Sequence, residues 1–161
     1  MYHTSYLEDY IENLFKRLAI HHPDQLDKYS IGNKLNIGIY LVSGESEAFC
    51  SNERNYIFLN RNLNHIERWQ DFGHELCHVL RHSGHQGKIS PMFRELQEWQ
   101  ADNFMYHFCV PTFMLLRIRL PPEKQRAVSL IAETFQVEYQ FAEKRLNRYY
   151  QKFFKGGDRI G

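Results

Sequence analysis

The stretch Asp71-Phe72-Gly73-His74-Glu75-Leu76-Cys77-His78-Val79-Leu80 decides how the rest of the chain is read. It holds His-Glu-x-x-His inside a run of helical period. At about 100° per residue, His74 and His78 stand roughly 40° apart on one face, one turn above the other. That spacing lets two imidazoles reach one metal ion at a Zn–N distance of about 2.0–2.1 Å. Glu75 lies beside them but points elsewhere, a position suited to holding a water at the metal rather than to ligating it.

Three fixed residues recur by chance, so the flanks matter. Ile66, Trp69, Gly73, Leu76, Cys77 and Leu80 form an apolar stripe of helical period. The two histidines fall to one side of that stripe, and Glu75 falls further round. One face is thus available for a core, and a separate polar face carries the motif.

A two-histidine zinc site needs a third protein ligand and an open position. One solution puts a Gly seven positions and a His ten positions after the first His. Those positions hold Arg81 and Gly84, so that pattern is absent. His82 lies on the same helix, with the wrong geometry to close a tetrahedron, and His85 reads as loop. The other solution is a Glu on a second helix packed against the first. The run from Phe93 or Arg94 to Val110 reads as that helix, ended by Pro111, with Ala101, Phe104, Met105 and Phe108 as its core stripe. It offers Glu95 and Glu98. Glu98 has Asp102 one turn beyond it on the same face, whereas Glu95 has Trp99. A metal-bound His usually donates its other N–H to a carboxylate. Glu98 as ligand and Asp102 as that acceptor is therefore the favoured assignment.

Outward from these two helices, Ser5 to Ala19 reads as a helix capped by Ser5, with Glu8 as its capping-box partner. A shorter helix is expected over 24–35, with Leu26, Tyr29 and Ile31 inward. Ile37–Val42, Ala48–Cys50 and Tyr56–Asn60 predict three strands in a small antiparallel sheet, the last two forming a hairpin. Residues 83–91 read as a loop. Thr112–Leu120 reads as helical, Pro121-Pro122 breaks the chain, and helices follow over 123–135 and 138–153, with a frayed tail from Gly156. The expected class is α+β: a mostly helical core over 1–120 that carries the His-Glu-x-x-His helix, and a C-terminal helical extension over 121–161 packed on it.

At 161 residues the chain is long enough for one cored domain. Its net charge of +1 makes no general case for nucleic acid. From Arg117 onward, ten Lys/Arg face five Asp/Glu, a balance of +5 that leaves −4 on the first 116 residues. Three widely spaced cysteines, Cys50, Cys77 and Cys109, argue against a disulfide framework and a thiolate zinc site. The first nine residues lack a basic and an apolar region, and no apolar run approaches a membrane span, so a cytoplasmic location is expected.

The chain resembles the ImmA/IrrE family of bacterial and phage metallopeptidases, which is similar at the site to thermolysin-like gluzincins. The resemblance rests on His74-Glu75-Leu76-Cys77-His78, on Glu98-Trp99-Gln100-Ala101-Asp102-Asn103-Phe104 and on Val110-Pro111. Ile131–Val137 and Lys144-Arg145-Leu146 are similar to the family's trailing segment, which looks like a helix-turn-helix remnant. Gln100 departs from the commoner Glu. The resemblance implies Zn2+ on His74, His78 and Glu98, Glu75 as the catalytic base, and a zinc-dependent endopeptidase. It implies a protein substrate, a helix-turn-helix repressor of a mobile element or stress regulon. Tyr106, His107, His82 and His85 are candidate donors to the oxyanion. The rival reading is a zinc-containing regulatory module that contacts DNA or a repressor without cleaving.

Overall fold

The computed structural model describes residues 1–81 and 90–155. The helix α1 runs Tyr6–Arg17, with Ser5 and Glu8 forming the expected reciprocal capping box. A single 3-10 turn, Pro23–Gln25, precedes α2, Lys28–Lys34. The expected single helix over 24–35 is divided because Asp27 starts a new one, its carboxylate accepting from Ser30 N–H at 2.7 Å. Tyr29 faces solvent rather than the core, with Lys28 Nζ over its ring at 4.8 Å.

Strands β1 (Ile37–Val42), β2 (Glu47–Cys50) and β3 (Asn55–Asn60) form one sheet in the order β1-β3-β2. The β2–β3 pair is the expected antiparallel hairpin. The β1–β3 pair is parallel, with Ile37 opposite Asn55 and Val42 opposite Asn60, so the sheet is mixed rather than purely antiparallel. The reason lies in residues 43–46, which cross the end of β3 and deliver β2 to its far side. Ser46 fixes that crossing: its hydroxyl accepts from Asn60 N–H at 3.0 Å and donates to Asp71 at 2.6 Å.

Asn64 and Glu67 then cap each other's backbone N–H at 2.9 Å and start α3, His65–Arg81. The helix α4, Pro91–Cys109, begins two or three residues before the expected start at Phe93 or Arg94, because Ser90 caps it and Pro91 takes the first helical position. Only one turn, α5 (Thr112–Leu115), forms of the helix expected over 112–120. Beyond Leu115 the bonding tightens to i→i+3, with Arg117 N–H on Met114 and Ile118 N–H on Leu115 at 3.1 Å, and Pro121 keeps Leu120 out of the helical region. The last helices are α6 (Lys124–Phe135) and α7 (Tyr139–Lys155). The loop reading over 83–91, apart from its last two residues, and the tail from Gly156 lie outside the described residues.

One core joins these elements. Ile11, Leu14 and Phe15 of α1, Phe72 and Leu76 of α3, Phe104 and Phe108 of α4, Ile131 of α6 and Leu146 of α7 are all buried in it. Phe108 is the hub, stacked on Phe15 at 5.0 Å and on Phe104 at 5.6 Å. The sheet adds Ile37, Ile57 and Leu59 from one face only. Among the described residues, no helix is long and apolar enough to cross a membrane.

Candidate metal centre

Helices α3 and α4 pack directly on each other, and Gly73 sets how closely. A Cβ there would stand 3.0 Å from Cys109 Sγ and 3.3 Å from Phe108 Cδ1. This contact brings the polar margins of the two helices together. His74 Nε2 lies 3.2 Å from His78 Nε2 and 3.0 Å from Glu98 Oε2, and His78 Nε2 lies 3.2 Å from Glu98 Oε1. His74 Nδ1 meets Asp102 Oδ1 at 2.9 Å. Glu95, the alternative on α4, is exposed and not part of this cluster.

The chemistry of these donors can be tested against a cation. Beside the Asp102 carboxylate, a neutral His74 carries its proton on Nδ1, which leaves a lone pair on Nε2. That lone pair faces the Glu98 carboxylate, itself an acceptor, and a second imidazole nitrogen. Three electron-rich atoms at such separations are mutually repulsive unless a proton or a cation lies among them. Four donors placed tetrahedrally about 2.0–2.1 Å from a zinc ion would lie about 3.3–3.4 Å from one another. The observed 3.0–3.2 Å is close to that edge. The donor set therefore fits a tetrahedral divalent cation with one position left for another ligand.

Glu75 stands apart from this set. It is buried against the sheet, with the backbone N–H of Ala48 in β2 directed towards its carboxylate. Burial pushes its carboxyl up to about 7; the Glu98 and Asp71 carboxylates add to the rise, and His74 and the Ala48 N–H oppose it. Cys77 belongs to the core side of α3, and burial pushes its thiol up to about 12, so it is a packing residue and not a thiolate.

The other sequence candidates are dispersed. His107 lies nine positions beyond Glu98, on the opposite side of α4, where it is buried with Nδ1 at 3.9 Å from Glu8 Oε1. Tyr106 stacks on Phe141 of α7 at 4.3 Å, with the Arg148 guanidinium over its ring at 4.3 Å. His82 and His85 lie outside the described residues. Sequence reasoning missed two features. The Ala48 N–H is a backbone group whose residue type carries no trace of the role. Asp71 reaches Ser46 across 25 residues of chain, a pairing no local spacing announces.

Comparison with known proteins follows the same residues. The sequence model of a peptidase family, described as the IrrE N-terminal-like domain, matches residues 36–147, from the approach to β1 into α7. The phage-like element PBSX protein XkdA of Bacillus subtilis (strain 168) is 44% identical over 147 residues, covering 91% of this chain and 74% of XkdA. Protein YqaB of the same organism is 38% identical over 151 residues, covering 94% of this chain and 88% of YqaB. A solved Mycobacterium tuberculosis transcriptional regulator shares the fold with a TM-score of 0.59 at 13% identity. That likeness covers 84% of this chain but only 44% of the regulator.

Proposed function

The chain belongs to the IrrE N-terminal-like family of peptidase domains, and from that premise we propose that it is a zinc-dependent endopeptidase acting on a helix-turn-helix repressor of a phage-like element. The observation that carries the reading is the convergence of His74, His78 and Glu98 from two helices within one ion's reach, with Glu75 beside them. Zinc, when bound, supplies a Lewis acid that acidifies water and polarises the scissile carbonyl.

The chain's own residues do the remainder. The Asp102 carboxylate accepts the Nδ1 proton of His74 and so keeps Nε2 free to ligate. Glu75 accepts a proton from the attacking water as the water oxygen adds to the carbonyl carbon. It then gives that proton to the leaving nitrogen as the C–N bond breaks. Its burial against β2 holds the carboxyl in one place for both halves of that task. The mobile-element substrate is supported by the relative from a phage-like element.

Glu75→Gln tests the reading against its rival, a zinc module that acts by contact. The variant is expected to keep one zinc per chain and its helical circular dichroism, and to lose cleavage of a co-expressed helix-turn-helix repressor by at least about 10³-fold, a range that removal of an acid–base group reaches. Repressor relief that survives in the variant would assign function to contact alone.

A further inference from the structure

The face of the sheet that looks away from the helices is aromatic where a solvated face would be polar. By strand alternation and register, Tyr40 of β1, Tyr56 and Phe58 of β3 and Phe49 of β2 all project to that side. Their rings form a connected array. Tyr40 lies 6.2 Å from Tyr56 and 6.3 Å from Phe58, Tyr56 and Phe58 stack at 6.3 Å, and Phe49 lies 6.5 Å from Tyr56. Tyr40 is 54% and Phe49 55% exposed. Gly38 lets the Tyr56 ring lie down on the sheet, since a Cβ there would stand 2.7 Å from that ring. The α2 and α3 helices occupy the other face, through Ile39 and through Ile57 and Leu59. On the aromatic face the Arg54 guanidinium lies over Tyr56, and Tyr40 and Phe49 stay exposed. A contiguous exposed apolar patch of this kind marks an interaction surface.

Charge says what the surface accepts. Beside Phe58 the patch opens into a groove of about 520 Å³ at the 43–46 crossing, lined by the Glu45 and Glu47 carboxylates and by no cation. At the far end Arg54 lies 5.8 Å over the Tyr56 ring, and Arg61 is tied to the Leu41 carbonyl of β1 at 3.4 Å. Two carboxylates repel a nucleic-acid backbone and attract Lys or Arg, and a cation entering there also gains from the adjoining ring faces. The patch and the metal centre lie on opposite sides of β2. On β2, Glu47 and Phe49 face outward, while the backbone N–H of Ala48 between them is directed towards Glu75. The patch and the reactive carboxylate therefore flank one edge strand.

We propose that this aromatic, acid-rimmed sheet face is an exosite that holds a basic amphipathic segment of the protein substrate, apart from the scissile bond. The proposal rests on the peptidase reading above and adds to it a second point of substrate contact.

The test uses the full zinc-loaded chain carrying Glu75→Gln, so that binding is read without turnover. The probe is a fluorescein-labelled amphipathic peptide of Leu and Lys about 18 residues long, on the order of five helical turns. Its Leu and Glu counterpart and an oligo-dT strand of similar length serve as controls. Tyr40→Ser with Phe49→Ser, and separately Glu45→Lys with Glu47→Lys, are each expected to weaken Lys-peptide binding about tenfold or more, as loss of interface anchors does. The charge-reversed pair is expected to gain affinity for the Glu peptide, an outcome that misfolding cannot produce. Unchanged Lys-peptide affinity in both pairs overturns the exosite. So does tighter binding of oligo-dT than of the Lys peptide. So does a dimer in sedimentation that Tyr40→Ser with Phe49→Ser dissociates, which would give the face to a second copy of the chain. Sheet-dependent binding by a chain whose wild type cleaves no repressor would instead remove the peptidase reading and leave the docking surface standing.

Discussion

At 2.9 Å from His74 Nδ1, the Asp102 carboxylate determines which ring nitrogen is left to face Glu98. Asp102 is itself well exposed, with 60% of its side chain accessible, so the fold does not depend on its charge. Asp102→Asn keeps the size but replaces the carboxylate with an amide that can present an N–H to the ring and favour the wrong tautomer. Zinc affinity is expected to fall about 10–100-fold, the usual effect of losing such a partner, with thermal stability of the metal-free chain unchanged. Competition with a chromophoric chelator measures it, and wild-type affinity in the variant would reduce Asp102 to a solvated charge. This pair of carboxylates was legible in the sequence because Glu98 and Asp102 sit one turn apart. The environment of Glu75 was not. What covers it is a strand N–H, and a backbone donor is the same for every residue type except proline.

The elements show where pattern stops being informative. Both site helices and their core stripes follow from period, whereas the Ser90-Pro91 start of α4 reads as loop and the Asn64 cap of α3 is not read at all. Strand pairing does not follow from period. Alternation along β1 reads the same whether its neighbour runs parallel or antiparallel, and the four residues at 43–46 decide by crossing β3. The separation of α3 from α4 was likewise visible only as a glycine inside an apolar stripe. As a helix residue Gly73 is unfavourable by up to about 1 kcal/mol. It is retained, in physical terms, because Cys109 and Phe108 occupy the space a side chain would need. Gly73→Val is expected to destabilise the metal-free chain by about 1–3 kcal/mol through overpacking. It should also weaken zinc binding although no ligand changes, because the added methyls push Glu98 away from the histidines. Denaturant midpoints and chelator competition on the same samples report the two effects. A variant that loses stability yet binds zinc as tightly as wild type would show that α4 can shift without carrying Glu98 with it.

On the scale of the whole molecule, a buried polar cluster ties the two ends of the chain to the middle. Glu8 of α1 accepts from Tyr2, from Thr112 Oγ1 at 2.7 Å and from Lys152 of α7. Arg145 of α7, fully buried, donates to Thr112 Oγ1 at 2.7 Å and to the Val110 carbonyl at 3.1 Å. His107 of α4 completes the cluster. None of this was read from the sequence, where Glu8 was a helix cap and Lys144-Arg145-Leu146 part of a basic tail. Partners 33 to 144 residues apart leave no local period. The cluster makes stability depend on pH, and the sign follows from two groups. Burial pushes the His107 imidazole down to about 3; Arg145, Arg148 and Lys152 add to the fall and Glu8 opposes it. The unfolded chain therefore binds a proton below pH 6.5 that the folded chain refuses until about pH 3, and stability drops as pH falls through that window. For Glu8, burial would raise the carboxyl, but hydrogen bonds from Lys152, Tyr2, Thr112 and Ser5 hold it well below the usual range. Its contribution is present above the ordinary carboxylate pKa of about 4.3 and is lost as pH falls further, so the two groups act in the same direction. Between pH 7 and pH 5 the proton that His107 takes up on unfolding alone lowers stability by about 2 kcal/mol, from a slope of about 1.4 kcal/mol per pH unit. Urea midpoints measured in chelator at both pH values, for wild type and His107→Gln, isolate that contribution, because every other group titrates equally in the two proteins. The gap between them should shrink by about 2 kcal/mol in favour of the variant at pH 5. An equal gap at both pH values would mean that the imidazole is protonated inside the fold, and that the Glu8 carboxylate at 3.9 Å outweighs its burial.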